Sequence, residues 1–291
     1  MPVGDITVGS LGDSLDVIID AARTTFESPF IMPTKVRRVV LPENTGTGWD
    51  EIRLDQISAQ LVTETTVLDN PQQVVDTLTS FVPVISGITM AITDRVARRI
   101  NKLVLGKLGM LAGDAIERKR DEDGLALFAG ATTTLAGAGT TLVQGNISAG
   151  ARQITSNTTE RPPDGPIHAV LHGFQIHDLH TQLTAPVGTY PIPAGLSEEV
   201  YKKGFRGIAI SGVGVWEDGN IALTGTDARG GLFHRDGLIY VEGMKLKRFD
   251  KERPELGGGA HQMWIYTEYI YGEIRSVWHF GVLSDATAPT S

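Results

Sequence analysis

The sequence predicts an α+β fold in which an extended two-stranded arm lies beside one unusually long helix. Three segments indicate it: residues 36–90 are rich in Val, Ile and Thr, residues 91–130 have a helical pattern, and residues 244–284 hold two aromatic-rich strands. A long helix beside such an arm suits an interlocking tile of a shell better than a compact enzyme.

The composition limits the classes of function. The 291 residues can bury an adequate core in one large domain or two. The absence of cysteine excludes disulfides, thiolate zinc sites and cysteine nucleophiles. The net charge of −8 argues against a protein that coats nucleic acid, although not against one that encloses it. The sequence has no run of about 18 apolar residues and no visible secretory signal, so we expect no membrane-spanning helix and a reducing cytoplasm.

Residues 11–28 predict an amphipathic helix, because apolar residues recur at helical spacing and Pro29 ends the pattern. The residues that share its apolar face are Leu11, Leu15, Ile18, Ile19, Ala22 and Phe26. This helix either packs on the core of its own chain or forms an arm that docks on a neighbouring subunit.

Residues 36–90 predict a long β-hairpin, because strand-like stretches are separated by the turn material PENTGTGWD and LDNPQQ. The segment is acidic, and Arg53 is its only basic residue between Val39 and Ile92. A hairpin alone is marginally stable in water, so we expect this one to lie on another surface.

Residues 94–123 predict a helix about 45 Å long. Thr93 is the expected N-cap, and Asp94 lies at the positive end of the helix dipole. The expected apolar stripe consists of Val96, Ile100, Leu103, Leu111 and Ala115, with Val104, Leu108 and Met110 beside it.

Two further features mark this helix. Each of Gly106, Gly109 and Gly113 weakens it by about 1 kcal/mol but permits the close approach of another backbone. The mixed-charge run RKRDED near its end is expected to be a solvated face, with Asp121 and Asp123 both solvated.

The rest of the chain alternates between loops and strands. Residues 130–165 are rich in Gly, Thr, Ala and Pro and predict a loop or short strands. The stretch IHAVLH predicts a strand, and GFQIHDLHTQL predicts a helix after it. Short strands are expected over residues 205–245, followed by two long strands around the turn ELGGGAH. The last residues, DATAPTS, are expected to fray.

The candidate chemistry is sparse. His168, His172, His177 and His180, with Asp178 among them, are the candidates for a metal site, but the two pairs lie on different predicted elements and no HExxH motif is present. The glycine-rich stretches GAGTTLVQG and SGVGVWEDG lack the ending of a phosphate-binding loop, and no GxSxG motif exists. The sequence therefore predicts neither an enzyme nor a cofactor.

The order of the elements is more specific than any one motif. A helix precedes a hairpin, which leads through ITMAITDRVARRI into a long helix ending RKRDEDGLALFAG. The strand–helix pair PIHAVLHGFQIHDLHTQL, a small mixed sheet and strands ending YGEIRSVWHFGVLSD follow. This order resembles the major capsid proteins of tailed double-stranded DNA bacteriophages, which have the Hong Kong 97 fold. The resemblance covers nearly the whole chain.

The resemblance implies a division of the chain into named regions. They are an N-arm (1–37), an E-loop hairpin (38–90), a peripheral domain with the spine helix (91–165), an axial domain (166–240), and return strands of the peripheral domain (241–291). In this arrangement the E-loop of one subunit lies over the peripheral domain of the next.

The resemblance also implies a structural protein with no active site. Hexamers and pentamers of the chain would form an icosahedral virion capsid, assembled in the host cytoplasm around double-stranded DNA that is enclosed without sequence-specific binding. Portal, scaffolding and decoration proteins would be further partners. Two alternatives stay open: an encapsulin-like compartment, which shares the fold but encloses protein cargo, and, less favoured, a histidine-based metalloenzyme.

The charge pattern suggests how copies would meet. We expect carboxylates of the hairpin to contact basic residues of the long helix on a neighbouring subunit, unless both faces are merely solvated. The carboxylates are Glu43, Asp50, Glu51, Asp55, Glu64 and Asp69, and the cations are Arg95, Arg98, Arg99 and Lys102.

One covalent feature of the resembled fold is not expected. Some members join their subunits by isopeptide bonds from a hairpin lysine to an asparagine, but this chain has no lysine between Lys35 and Lys102. We therefore predict a single subunit band when purified particles are run on a denaturing gel. A ladder of covalent multimers would contradict this.

Overall fold

The computed structural model describes residues 30–43, 46–54, 57, 59, 61–64, 76–98, 102–184, 209–256 and 258–290, so the predicted helix over residues 11–28 lies outside the described part. The described helices are α1 (Met32–Lys35), α2 (Asp94–Ala97), α3 (Lys102–Ala126), α4 (Gln144–Thr155) and α5 (Gly173–Thr184). The described strands are β1 (Arg37–Val40), β2 (Trp49–Leu54), β3 (Asp76–Phe81), β4 (Val84–Thr93), β5 (Thr134–Ala136), β6 (Ile167–Leu171), β7 (Ala209–Ile210), β8 (Val213–Glu217), β9 (Leu223–Thr224), β10 (Asp227–His234), β11 (Leu238–Glu252), β12 (Ala260–Glu273) and β13 (His279–Asp285).

A four-stranded sheet in the order β1-β11-β12-β4 forms the first layer. The predicted pair of long strands around ELGGGAH is confirmed as β11 and β12, which are antiparallel. β1 pairs with β11 in parallel, and β4 pairs with β12 antiparallel. The hairpin is therefore shorter than the one predicted over residues 36–90 and consists of β2 and β3. Alternation marks a strand but does not reveal its partner, which explains the difference.

The long helix α3 packs against this sheet through Ala112 and Ile116, which contact Ile265 of β12. The predicted positions Leu111 and Ala115 are only partly buried, so the buried face lies one residue further along the helix than expected. The helix runs to Ala126 and continues as a short 3-10 turn.

The prediction that RKRDED is a solvated face was wrong for its two central residues. Arg120 and Asp121 are buried, while Arg118, Lys119 and Glu122 are exposed. Arg120 donates to Glu117 at 2.8 Å and also to Thr267 of β12. A mixed-charge run hides such a face. Arg120 turns inward because it lies four residues after Ile116, and Asp121 turns inward because it lies four residues before the buried Leu125.

A second sheet has the order β5-β13-β10-β6-β8-β7, with β9 paired to β10. The predicted strand–helix pair is confirmed as β6 and α5. The prediction of a loop or short strands over residues 130–165 was wrong in part, because α4 lies there and buries Ile147, Ala151 and Ile154 against this sheet. Its glycine- and threonine-rich composition obscured that apolar spacing.

Phe128 anchors the end of the long helix to the second sheet, and the C-terminal residues are ordered beside it. Phe128, which follows α3, is fully buried and lies so close to Gly231 of β10 that a Cβ atom there would overlap its ring. The C-terminal residues were expected to fray, but Asp285 belongs to β13 and Ala286 is buried.

Candidate assembly interface

The hairpin of β2 and β3 is held to the four-stranded sheet at its base. Phe81, at the end of β3, pairs with Trp49 and is only 6% exposed. It packs against Ile239 and Val241 of β11. Gly272 of β12 makes this packing possible, because a Cβ atom at that position would overlap the Phe81 ring.

The outer face of the hairpin carries three exposed apolar side chains beside the polar pair Asp50 and Ser80. Ile52 and Leu78 face each other across the two strands, and Leu54 follows on the same side. Their exposed fractions are 62% for Ile52, 61% for Leu78 and 62% for Leu54. Three neighbouring apolar side chains form an exposed apolar patch on a narrow two-stranded arm, which makes the arm a candidate surface for contact with another protein. We call these three residues the hairpin face.

Polar contacts fix the angle at which the hairpin leaves the body. Arg37 of β1 pairs with Glu51 at 2.7 Å, and the Trp49 indole donates to Glu51 at 3.0 Å. Arg275, after β12, pairs with Glu160 and donates to the Leu54 carbonyl at 3.3 Å. Arg37, Glu51, Leu54 and Arg275 border a cavity of about 320 Å³ between the hairpin and the body.

The predicted acidic contacts of the hairpin are unevenly placed. Glu51 is engaged by Arg37 within its own chain. Asp55 and Asp69 lie outside the described residues. The carboxylates that the structure leaves exposed belong to Glu43, Asp50 and Glu64.

The predicted cations also divide into two groups. Arg95 and Arg98 are exposed, and within the described ranges no ion pair joins either one to a hairpin carboxylate. Arg99 and the side chain of Lys102 fall outside what the structure describes. Contacts between copies through these residues stay a prediction.

The structure does not bring the four candidate histidines together into one cluster. His168 on β6 accepts from the Trp216 indole at 3.2 Å, and burial, aided by the charges of Lys35 and Arg235, lowers the pKa of His168 to about 4. His172 accepts from the Phe174 amide at 3.2 Å at the start of α5. His177 and His180 lie on α5 itself. No cluster of three or more metal-ligating side chains exists among the described residues.

Sequence reasoning missed the residues that hold the hairpin. Arg275 meets Glu160, which is 115 residues away in the chain, and Leu54, which is 221 residues away. No local pattern could signal contacts at this separation.

The described helices include none that is long and apolar enough to cross a membrane.

Comparison with known proteins identifies the fold. No protein-family model and no curated protein sequence matches this chain. The capsid of Cyanophage Pam1 matches with a TM-score of 0.72 and 10% identity, over 99% of this chain and 100% of that one. The capsid of Ralstonia phage GP4 matches with a TM-score of 0.69 and 11% identity, over 94% and 95%. The capsid of Cyanophage P-SCSP1u matches with a TM-score of 0.67 and 12% identity, over 94% and 93%.

These similarities span both chains of each pair nearly from end to end. The prediction of a capsid-type α+β fold is confirmed: the chain has the fold of phage capsid proteins.

Proposed function

We propose that this chain is a major capsid protein, a structural protein without catalytic activity. Its copies assemble as hexamers and pentamers into the icosahedral shell of a virion. The observation that carries the proposal is the match to phage capsid structures over 94–99% of the chain. The shell encloses double-stranded DNA without sequence-specific binding, which suits the net charge of −8.

The hairpin face supplies the contact between subunits in this proposal. Ile52, Leu54 and Leu78 together lie on an arm that is held at its base and presents its apolar side outward. Full burial of one such side chain contributes about 1.5–3 kcal/mol, and a closed shell repeats the contact in every copy. Assembly in the host cytoplasm, with portal, scaffolding or decoration proteins, belongs to the same proposal.

Electron microscopy of the expressed protein tests the proposal directly. Closed shells of uniform size are expected, and their absence under all assembly conditions would count against it. Nuclease treatment of particles purified from infected cells then separates the alternatives. Protected genome-length DNA is expected, whereas particles that hold a protein cargo and no DNA indicate an encapsulin-like compartment.

Charge reversal tests the proposed polar contact between copies. The double variant Arg98→Glu, Arg99→Glu is expected to assemble less completely than the wild type at low salt, since it places like charges opposite the hairpin carboxylates of a neighbour. Single exposed pairs contribute only about 0–1 kcal/mol, so the effect depends on their repetition over the shell.

The matched control for this test is Arg118→Glu with Lys119→Glu, which makes the same charge change at exposed positions of α3. Light scattering at low and high salt is the measurement. Equal assembly of wild type and the Arg98, Arg99 variant at both salt concentrations would show that both charged faces are merely solvated.

A further inference from the structure

Two buried carboxyl groups meet where the N-terminal segment joins the described structure. Asp121 of α3 and Asp218, in the turn after β8, are both 0% exposed. Asp121 Oδ1 accepts the backbone N–H groups of Ile31 and Met32, each at 2.8 Å. Its Oδ2 accepts from the Asn220 side chain at 2.9 Å. Asp121 therefore receives three donors, two of them from the root of the N-terminal segment.

Asp218 has a different set of contacts. One of its carboxyl oxygens, Oδ1, accepts the Asn220 backbone N–H at 2.9 Å. The other, Oδ2, is buried and has no hydrogen-bond partner among the described residues when the carboxyl is counted only as an acceptor. A buried charged oxygen without a donor is costly, whereas a protonated oxygen can donate to a neighbouring carboxylate. The proton of the pair is therefore best placed on Asp218, since the Asp121 oxygens already accept N–H groups.

The electrostatics agree with this placement. Burial is the largest cause that raises the pKa of Asp218, followed by its hydrogen bond with Asp121 and the negative charge of that residue, and together they bring the pKa to about 8. Two carboxyl groups in one dry site share a proton, because ionising both places like charges together.

None of the neighbouring titratable groups donates a hydrogen bond to Asp218 Oδ2 among the described residues. Tyr271 of β12 lies beside Met32 across Gly124, and burial raises the pKa of its hydroxyl well above 10, so it adds no charge to the site. Its hydroxyl makes no hydrogen bond to either carboxyl group among the described residues. The charged and titratable side chains on the adjoining elements are directed to other partners. They are Lys35 of α1 over the Trp216 ring, Arg120 of α3 at Glu117 and Thr267, and His172, which accepts from the Phe174 amide. Glu217 of β8 lies close to Gly173 at the start of α5.

We propose that Asp121 and Asp218 form a proton-dependent latch that holds the root of the N-terminal segment, Ile31 and Met32, on the long helix. While the pair retains one proton, Asp218 donates to Asp121, and Asp121 orders both backbone N–H groups. We call the state in which Asp121 accepts both N–H groups the closed state. When the shared proton is lost, two buried negative charges face each other and the closed state becomes less stable. The latch thereby links pH to how firmly Ile31 and Met32 are held on the long helix.

The sign of the pH dependence follows from linkage. An exposed aspartate loses its proton above its ordinary pKa of about 3.9, whereas Asp218 in the closed state keeps its proton up to a pH of about 8. The stabilisation is complete below a pH of about 3.9 and is lost as the pH rises toward 8. Over this interval the closing equilibrium is expected to weaken about tenfold per pH unit, and above about pH 8 to level off.

Hydrogen exchange of the full-length chain tests the latch. Peptides that contain Ile31 and Met32 are followed by mass spectrometry between pH 5.5 and 8.5, with each exchange rate divided by its intrinsic rate at that pH. In the wild type their protection is expected to fall about 100-fold between pH 5.5 and 7.5. In Asp218→Asn, whose side chain donates an N–H at every pH, the protection is expected to stay constant.

Glu122→Gln is the matched control, because it neutralises an exposed carboxylate on the same helix and should behave like the wild type. Parallel pH profiles of the wild type and Asp218→Asn would overturn the proposal. If Asp218→Asn does not fold, the wild type alone decides. A loss of protection confined to the root peptides, with peptides of α4 unchanged, supports the latch, and equal losses in both contradict it.

Discussion

The double variant Ile52→Asp, Leu78→Asp is expected to remain folded and to form no shells. Both side chains are more than half exposed in the single chain, so their replacement disturbs little of the core. In the assembled state each new aspartate would be buried against an apolar surface. The free-energy cost of burying its charge exceeds the stabilisation that the original apolar contact contributed. Circular dichroism should show an intact subunit, and electron microscopy and sedimentation should show no closed particles.

Conservative substitutions at the same positions provide the control. Ile52→Val with Leu78→Ile keeps the hairpin face apolar and is expected to assemble. Shells from the aspartate variant that match those of the wild type would show that the hairpin face makes no contact between subunits. Loss of assembly in both variants would point to a disturbed hairpin and not to its face.

Gly272→Ala is expected to destabilise the isolated subunit by roughly 1–3 kcal/mol, the usual cost of overpacking a core. The new methyl group would overlap the ring of Phe81, which is buried against Ile239 and Val241. Because Phe81 ends β3, the hairpin should lose its fixed angle as well, and shells should form poorly. Urea unfolding of unassembled subunits measures the first effect, and electron microscopy measures the second.

The matched control is Gly109→Ala in α3, where nothing lies within 4 Å of the added atom. It should raise stability by about 0.5–1 kcal/mol, since alanine favours a helix over glycine. Adding Phe81→Leu to Gly272→Ala should recover part of the lost stability, because the smaller side chain leaves room for the methyl group. Equal stability of the two alanine variants would contradict the proposed overlap.

Local periodicity explains which parts of the fold could be predicted. The strands β11 and β12, the strand–helix pair β6 and α5, and the long helix each have a pattern that repeats over many residues. The parallel pairing of β1 with β11 has no such signal, because residues about 200 positions apart specify it together. The buried positions of Arg120 and Asp121 depend on Thr267 and on the backbone of Ile31, which no local pattern contains.

The candidate interface shows the same division. The alternation in EIRLDQ and DTLTSF separates two faces of the hairpin, and charge counting identified its acidic character. Alternation does not say which face meets the body of the protein. Only the seating of Phe81 between β11 and β12 shows that Ile52, Leu54 and Leu78 face outward.

The order of the strands in the four-stranded sheet has a consequence for synthesis of the chain. β1 and β4 leave the ribosome early, yet among the described strands they pair with β11 and β12, which end at Glu273. Such long-range pairing is slow to form, and domains acquire it only once the whole set of strands is present. The hairpin has no seat for Phe81 until Gly272 has been translated. Nascent chains, and chains truncated before Gly272, therefore cannot hold the hairpin at its base, so the hairpin takes its fixed position only in a chain that has completed β12.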